Sequence, residues 1–203
     1  MNKNLKLGLS VAVLFVIGFV TYLFFNSLNK APVVNKAPVV NNENNGDEKT
    51  ILPLTVNNFD DCVTTGSPVM ESYPRQCRYG DKTYTENIGN ELEKTDLINL
   101  EAPRPNGAIS SPLIIKGQAR GSWFFEASFP VILTDWDGKI IAEGTATAKG
   151  DWMTTEFVPF EAILTFTTDE NVYSNKGYLI LKKDNPSGLP ENDNALEIPV
   201  IIN

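Results

Sequence analysis

Asp135 and Asp137 flank Trp136 in the run Thr134-Asp135-Trp136-Asp137-Gly138-Lys139. With Glu156 or Glu161 they could supply the two carboxylates of a glycoside-cleaving site, one as acid and one as base or nucleophile. The competing explanation is local. An Asp-x-Asp-Gly run uses its acids to fix a tight hairpin turn, and alternate positions of such a turn face solvent. Carboxylates carry the question because the chain has no histidine. That absence removes imidazole-activated nucleophiles, His-ligated zinc and a near-neutral His base.

Two further groups have side chains suited to binding. The loop from Asp184 to Asn194 is rich in oxygen donors, and Asp184, Glu191 and Asp193 are hard ligands of the kind calcium takes. Its spacing is not that of an EF-hand, and turn formation accounts equally well for Asp, Asn, Gly and Pro. No cofactor is expected, and calcium is the one metal this loop suggests. The aromatic set is Trp123-Phe124-Phe125, Trp136 and Trp152. Flat rings can stack on sugars or anchor a protein partner. Phe125 and one tryptophan are expected in a core, whereas Trp136, set in a polar hairpin, is expected at the surface. Trp136, Asp135, Asp137 and Trp152 are therefore the candidate ligand or partner surface.

Strands must position these residues. Leu97 to Glu101 opens the series and ends at Pro103-Arg104-Pro105-Asn106-Gly107. In Ser110 to Arg120, Leu113, Ile115, Gly117 and Ala119 share one face, and Ile114, Lys116, Gln118 and Arg120 the other. Phe129 to Thr134 runs into the Asp-Gly turn and Ile140 to Thr147 returns from it. Phe157 to Thr167 places Phe160, Ala162, Leu164 and Phe166 inward. Tyr178 to Lys183 and Leu196 to Ile202 complete the set. Short alternating strands separated by Gly, Pro and Asp turns predict an all-β, immunoglobulin-like antiparallel sandwich over residues 96–203.

The remaining chain reads as attachments to that domain. Leu7 to Phe25 is apolar apart from Gly8, Ser10, Gly18 and Thr21, and its 19 positions would span roughly 28 Å as a helix. Lys3 and Lys6 precede it, so the amino end is expected in the cytoplasm and the rest beyond the lipid bilayer. The run is longer than a usual signal-peptide core and lacks an A-x-A-like site after it, so residues 1–28 read as a cytoplasmic tip and uncleaved single-pass anchor. Asn-Lys-Ala-Pro-Val-Val occurs twice in residues 29–40, and 29–50 reads as an extended tether. Residues 51–86 hold Cys62 and Cys77, an even count that reads as a disulfide on the far side of a membrane. A loop of this length is worth ~3 kcal/mol in chain entropy. Residues 87–95, with one possible helical turn at Glu91 to Lys94, read as a second linker.

Charge narrows the partners. The formal net charge is −8, and residues 1–49 hold five lysines against three acids, which leaves 12 basic and 22 acidic residues in 50–203. Such a field repels phosphate backbones, so nucleic acid is not an expected partner.

The segment Ile98 to Ile202 resembles the immunoglobulin-like domain of bacterial spore germination proteins. The resemblance rests on Pro103 to Gly107 followed by Ser110-Ser111-Pro112-Leu113-Ile114-Ile115-Lys116-Gly117-Gln118-Ala119, on Leu133 to Gly144, on Pro159-Phe160-Glu161-Ala162 and on Glu197-Ile198-Pro199-Val200. It implies an extracytoplasmic sandwich that mediates interactions and brings no catalytic residue. The stretch around Cys62 and Cys77 is similar to a short two-cysteine unit found beside tethered domains in other bacterial proteins. The combined expectation is a membrane-anchored, non-enzymatic binding or structural module of the cell envelope, with a protein or glycan partner. A carboxylate-dependent enzyme acting on envelope polysaccharide is the alternative.

Overall fold

The computed structural model describes residues 55–168 and 172–203. The expected anchor over residues 1–28 and tether over 29–50 lie outside the described residues. Among the described residues, no helix is long and apolar enough to cross a membrane. The first elements are α1 (Phe59–Thr64), β1 (Val69–Met70), β2 (Gln76–Tyr79), β3 (Lys82–Thr85) and α2 (Glu91–Lys94). The sandwich strands follow as β4 (Ile98–Ala102), β5 (Ala108–Ile109), β6 (Leu113–Arg120) and β7 (Ser128–Asp135). The last four are β8 (Ile140–Ala148), β9 (Phe157–Leu164), β10 (Lys176–Lys182) and β11 (Ala195–Ile202).

Alternation is what makes the strands pack. Along β6, Leu113, Ile115 and Ala119 are buried while Ile114, Lys116 and Gln118 are exposed, as a period of two requires. The next inward position is Gly117. A Cβ there would lie 2.3 Å from the Asn99 carbonyl oxygen and 2.7 Å from Phe160 Cζ. Only glycine lets the Phe160 ring and β4 close over this point. In β9 and just beyond it, Phe160, Ala162, Leu164 and Phe166 are all buried, the inward set the alternation predicts.

Strand order is β4-β6-β9-β8-β7-β10-β11-β5. The β8–β9 junction rests on two pairs, Thr147 with Glu161 and Ala148 with Phe160, whereas β6 and β9 pair along eight positions. The sheet folds at that narrow seam. Its two halves, β4-β6-β9 and β8-β7-β10-β11-β5, face each other across one hydrophobic core. Phe129 is central, with Phe124 at 5.2 Å and Phe160 edge-on at 4.9 Å between ring centroids, within the favourable range for aromatic pairs.

One strand of the sandwich escapes the sequence reading. After β4 the chain turns through Pro103 to Gly107 and crosses to the other half, where β5 pairs parallel with the end of β11. Two residues between turns carry too little alternation to be read as a strand.

The two-cysteine unit is a three-stranded sheet with α1 against it. Asn58 caps α1, its side-chain oxygen accepting from the Asp61 N–H at 2.8 Å, a standard way to satisfy a free helix donor. Cys62 and Cys77 form a disulfide that joins α1 to β2. The local core consists of Phe59 and the two half-cystines, with Val56, Val69 and Tyr84 packed around them. So small a core does not hold a fold without a covalent staple.

The stretch 87–95, which reads as a linker, lies on the outer edge of β11. The Asn90 N–H donates to the Glu197 carbonyl at 3.1 Å, and the Asn90 side chain accepts from the Glu197 N–H at 2.8 Å and donates to Ala195 at 3.0 Å. Farther along that edge, the Asn106 N–H donates to the Pro199 carbonyl at 2.7 Å and the Ile201 N–H to Gly107 at 3.0 Å. The backbone groups of an exposed strand edge are thereby satisfied.

Candidate functional site

The hairpin between β7 and β8 shows why Trp136 faces outward. Asp135 is its anchor: one carboxylate oxygen accepts from the Asp137 N–H at 3.0 Å and the Lys139 N–H at 2.9 Å. Gly138 supplies the positive φ of +81° that closes the turn. With Asp135 committed to the backbone and Asp137 in solvent, Trp136 projects from the tip of the hairpin. It is 45% exposed, and its ring lies 5.1 Å from that of Tyr173, inclined by 47°.

These two rings stand at one end of a groove of about 460 Å³. Its floor is the end of β11 and the start of β10, including Tyr178, and its far wall is the two-cysteine unit, which contributes Phe59, Asp60 and Glu86, with Asn87 just after it. Residues from the disulfide-closed unit and from the sandwich thus share one concavity, of the size in which small ligands bind.

The charged groups of the groove are already matched. Lys176 Nζ lies 2.5 Å from Asp60. Glu86 receives two hydrogen bonds from the Arg75 guanidinium, at 2.9 and 2.6 Å, one from the Arg75 N–H at 3.4 Å and one from the Asn106 amide at 3.1 Å. The Arg75 hydrogen bond, opposed by burial and reinforced by the guanidinium charge, holds the Glu86 carboxyl below the usual carboxylate range. Beside these paired charges the groove offers aromatic faces, amides and hydroxyls.

The other sequence candidates are elsewhere. Trp152 does not join Trp136. It is half-buried against the core, and its carbonyl lies against Gly121. Gly121 follows the end of β6, where Arg120 pairs with Phe157. That is the opposite end of the sandwich from the Trp136 hairpin, because the loop from β8 to β9 leaves near Ser128, at the start of β7. Phe125, expected in the core, is 41% exposed, and Phe124 is buried instead. The extended backbone at Phe124 puts neighbouring side chains on opposite faces, and the Phe129 contact takes the Phe124 ring inward.

Asp184, Glu191 and Asp193 also lie at that opposite end, in the loop after β10. Among the described residues, no group of three or more His, Cys, Asp or Glu side chains is placed to hold a metal ion. The loop's polar groups serve the loop itself: the Asn185 amide donates to Asp193 at 2.7 Å and to the Leu189 carbonyl at 2.8 Å. Glu191 is exposed on the short helical turn Pro190–Asn192.

The acids considered as partners of Asp135 are engaged in ion pairs. Glu161 lies 3.7 Å from Lys116 and 3.8 Å from Lys149, and Glu156 lies 3.9 Å from Arg120. Sequence reasoning missed Tyr173, Tyr178 and the wall from the two-cysteine unit. An isolated tyrosine in the polar run Asn171-Val172-Tyr173-Ser174-Asn175 was the available signal.

Residues 97–188 match the family model of the immunoglobulin-like domain of bacterial spore germination. The match runs from the start of β4 into the loop after β10 and stops before β11. No curated protein and no solved structure matches the chain.

Proposed function

We propose that this chain, whose residues 97–188 match the family model of the immunoglobulin-like domain of bacterial spore germination, is a membrane-anchored, non-catalytic recognition module facing the extracytoplasmic space. The observation that carries the recognition role is the exposed Trp136–Tyr173 pair at the mouth of the groove. A tryptophan held open to solvent by the Asp135 turn, beside a tyrosine 88% exposed, adds nothing to the core and suits a partner surface. The apolar run 7–25 behind Lys3 and Lys6 supports anchorage. The Cys62–Cys77 disulfide supports an oxidising compartment. The use of Asp135 as a turn anchor, and of Glu156 and Glu161 in ion pairs, favours recognition over carboxylate catalysis.

The test places a photo-crosslinking amino acid at Asp137, beside the site, and at Ser187, in the loop at the other end. The same loop carries Ser187→Cys in a second strain for labelling by a membrane-impermeant thiol reagent. Intact cells should give thiol labelling at 187 and a crosslinked envelope component from 137 alone. Labelling that requires lysis, or equal crosslinking from both positions, would sink the proposal.

A further inference from the structure

We infer that the groove between the two-cysteine unit and the sandwich binds a neutral oligosaccharide chain, with Trp136 and Tyr173 as its stacking platform. This rests on the recognition reading above and names its ligand class.

The lining selects against ionic ligands. Asp60 is paired with Lys176, both side chains more than half exposed, and Glu86 with Arg75, so the lining carries no net charge to hold a phosphate, a carboxylate or an amine. The net charge of −8 adds a long-range penalty for polyanions. An extended peptide is disfavoured for a different reason. Adding a strand needs a free sheet edge, and the β11 edge along this groove is already used by Asn90, Asn106 and Gly107.

Carbohydrate fits what is left. A pyranose offers an apolar C–H face and a rim of hydroxyls. Rings of Trp136 and Tyr173, inclined by 47° and exposed by 45% and 88%, present two facets for successive sugars along a curved chain. Asn87, Asn106 and Tyr178 stand along the groove beyond them. Asn106 is held by its bonds to Glu86 and to the Asn87 carbonyl, at 3.1 and 2.8 Å, and the Asn87 amide reaches the Tyr178 hydroxyl at 3.5 Å. These side chains are pre-ordered, which lowers the entropy cost of binding. The two-cysteine unit is then one wall of a binding site, and its disulfide acts on affinity through the position of Phe59 and Glu86.

The full-length chain in detergent micelles should be titrated calorimetrically with chitohexaose and cellohexaose as neutral probes and polygalacturonate as the anionic one. Saturable heat is expected from a neutral oligosaccharide and none from the polyanion. Trp136→Ala and Tyr173→Ala should each weaken binding about ten-fold, which corresponds to about 1.4 kcal/mol. Trp152→Phe should leave binding unchanged. Tyr173→Ala keeps every tryptophan and alters a side chain 88% exposed, so its effect reads binding rather than folding. No heat from either neutral probe up to about 10 mM, where millimolar affinities register, would overturn the inference, as would unchanged affinity in both variants. If the crosslinker at Asp137 captures an envelope protein while both sugars are silent, recognition stands and the glycan assignment falls. If position 187 labels only after lysis, the recognition reading itself fails.

Discussion

Arg104 and Glu91 form an ion pair at 2.6 Å that is open on one side only: the Glu91 side chain is 7% exposed and that of Arg104 51%. Tyr73, from the disulfide-closed loop, donates its hydroxyl to the same carboxylate, and Arg104 donates to that hydroxyl at 2.8 Å and to the Leu100 carbonyl at 2.7 Å. Three separate stretches of chain meet on one buried carboxylate. The loop of the two-cysteine unit, the segment before β4 and the crossing between β4 and β5 are coupled there.

Arg104→Ala should therefore destabilise the fold more than a surface arginine would. Removing one partner of a buried pair leaves the other charged and uncompensated, which costs about 3–5 kcal/mol. The lower end, about 3 kcal/mol, applies because half of the guanidinium is in water and Tyr73 still donates. Urea denaturation measures the loss, and the paired change Glu91→Leu with Arg104→Met should recover much of it. A loss under about 1 kcal/mol, the ordinary scale of an exposed pair, would show that the cluster is not a structural tie.

The disulfide closes a loop of sequence separation 15, for which chain entropy gives ~3 kcal/mol. Its local core has few other members, so Cys62→Ser with Cys77→Ser should loosen the two-cysteine unit first and leave the sandwich folded. Hydrogen exchange should show faster amides in β2 and β3 and unchanged protection in β6, β7 and β10.

Much of this architecture was legible because it depends on nearest neighbours in sequence. The faces of β6 and β9 follow from alternation, and the Trp136 turn from Asp135 and Gly138. What could not be read depends on contacts between distant residues. Nothing local marks Asn90 as a partner of Glu197, 107 positions away, or Ala108–Ile109 as a strand, since each is defined by the β11 edge it completes. Trp152 and Trp136 look alike in sequence and lie at opposite ends of the sandwich. Phe124 and Phe125 trade places because the choice between adjacent rings is made by Phe129. The groove itself was invisible for the same reason, as Phe59, Trp136, Tyr178 and Val200, which line it, come from stretches far apart in sequence.

Gly89 tests how firmly the stretch before β4 is seated on β11. It has φ +70°, and a Cβ there would lie 1.8 Å from the Glu197 carbonyl oxygen. Gly89→Ala should therefore break the Asn90–Glu197 bonds, displace α2 from the β11 edge and cost about 2 kcal/mol or more, through both the left-handed backbone and the clash. Gly138→Ala is the control. Its φ is +81° but nothing lies within 4 Å, so it should cost only the conformational part, about 1 kcal/mol. Equal thermal shifts in the two variants would show that the close approach at Gly89 contributes nothing.

Alkaline titration gives an independent reading of the Tyr73 contact. Burial of the hydroxyl first, then the hydrogen bond and charge of Glu91, push its pKa from 10.0 up to about 12. A folded pKa above the unfolded one means that the neutral tyrosine contributes stability fully below pH 10 and loses it as pH climbs toward about 12. Above that range an ionised Tyr73 would stand against the Glu91 carboxylate. Tyr73→Phe removes both the hydrogen bond and the titration. The wild type should be the more stable of the two near pH 8, by about 1 kcal/mol for a hydrogen bond to a charged acceptor on a half-exposed residue. The difference should shrink, and then reverse, as both are unfolded in urea at rising pH from about 9.5 to about 12. A gap that stays constant over that interval would mean that Tyr73 titrates as a free tyrosine and does not share the buried carboxylate with Arg104.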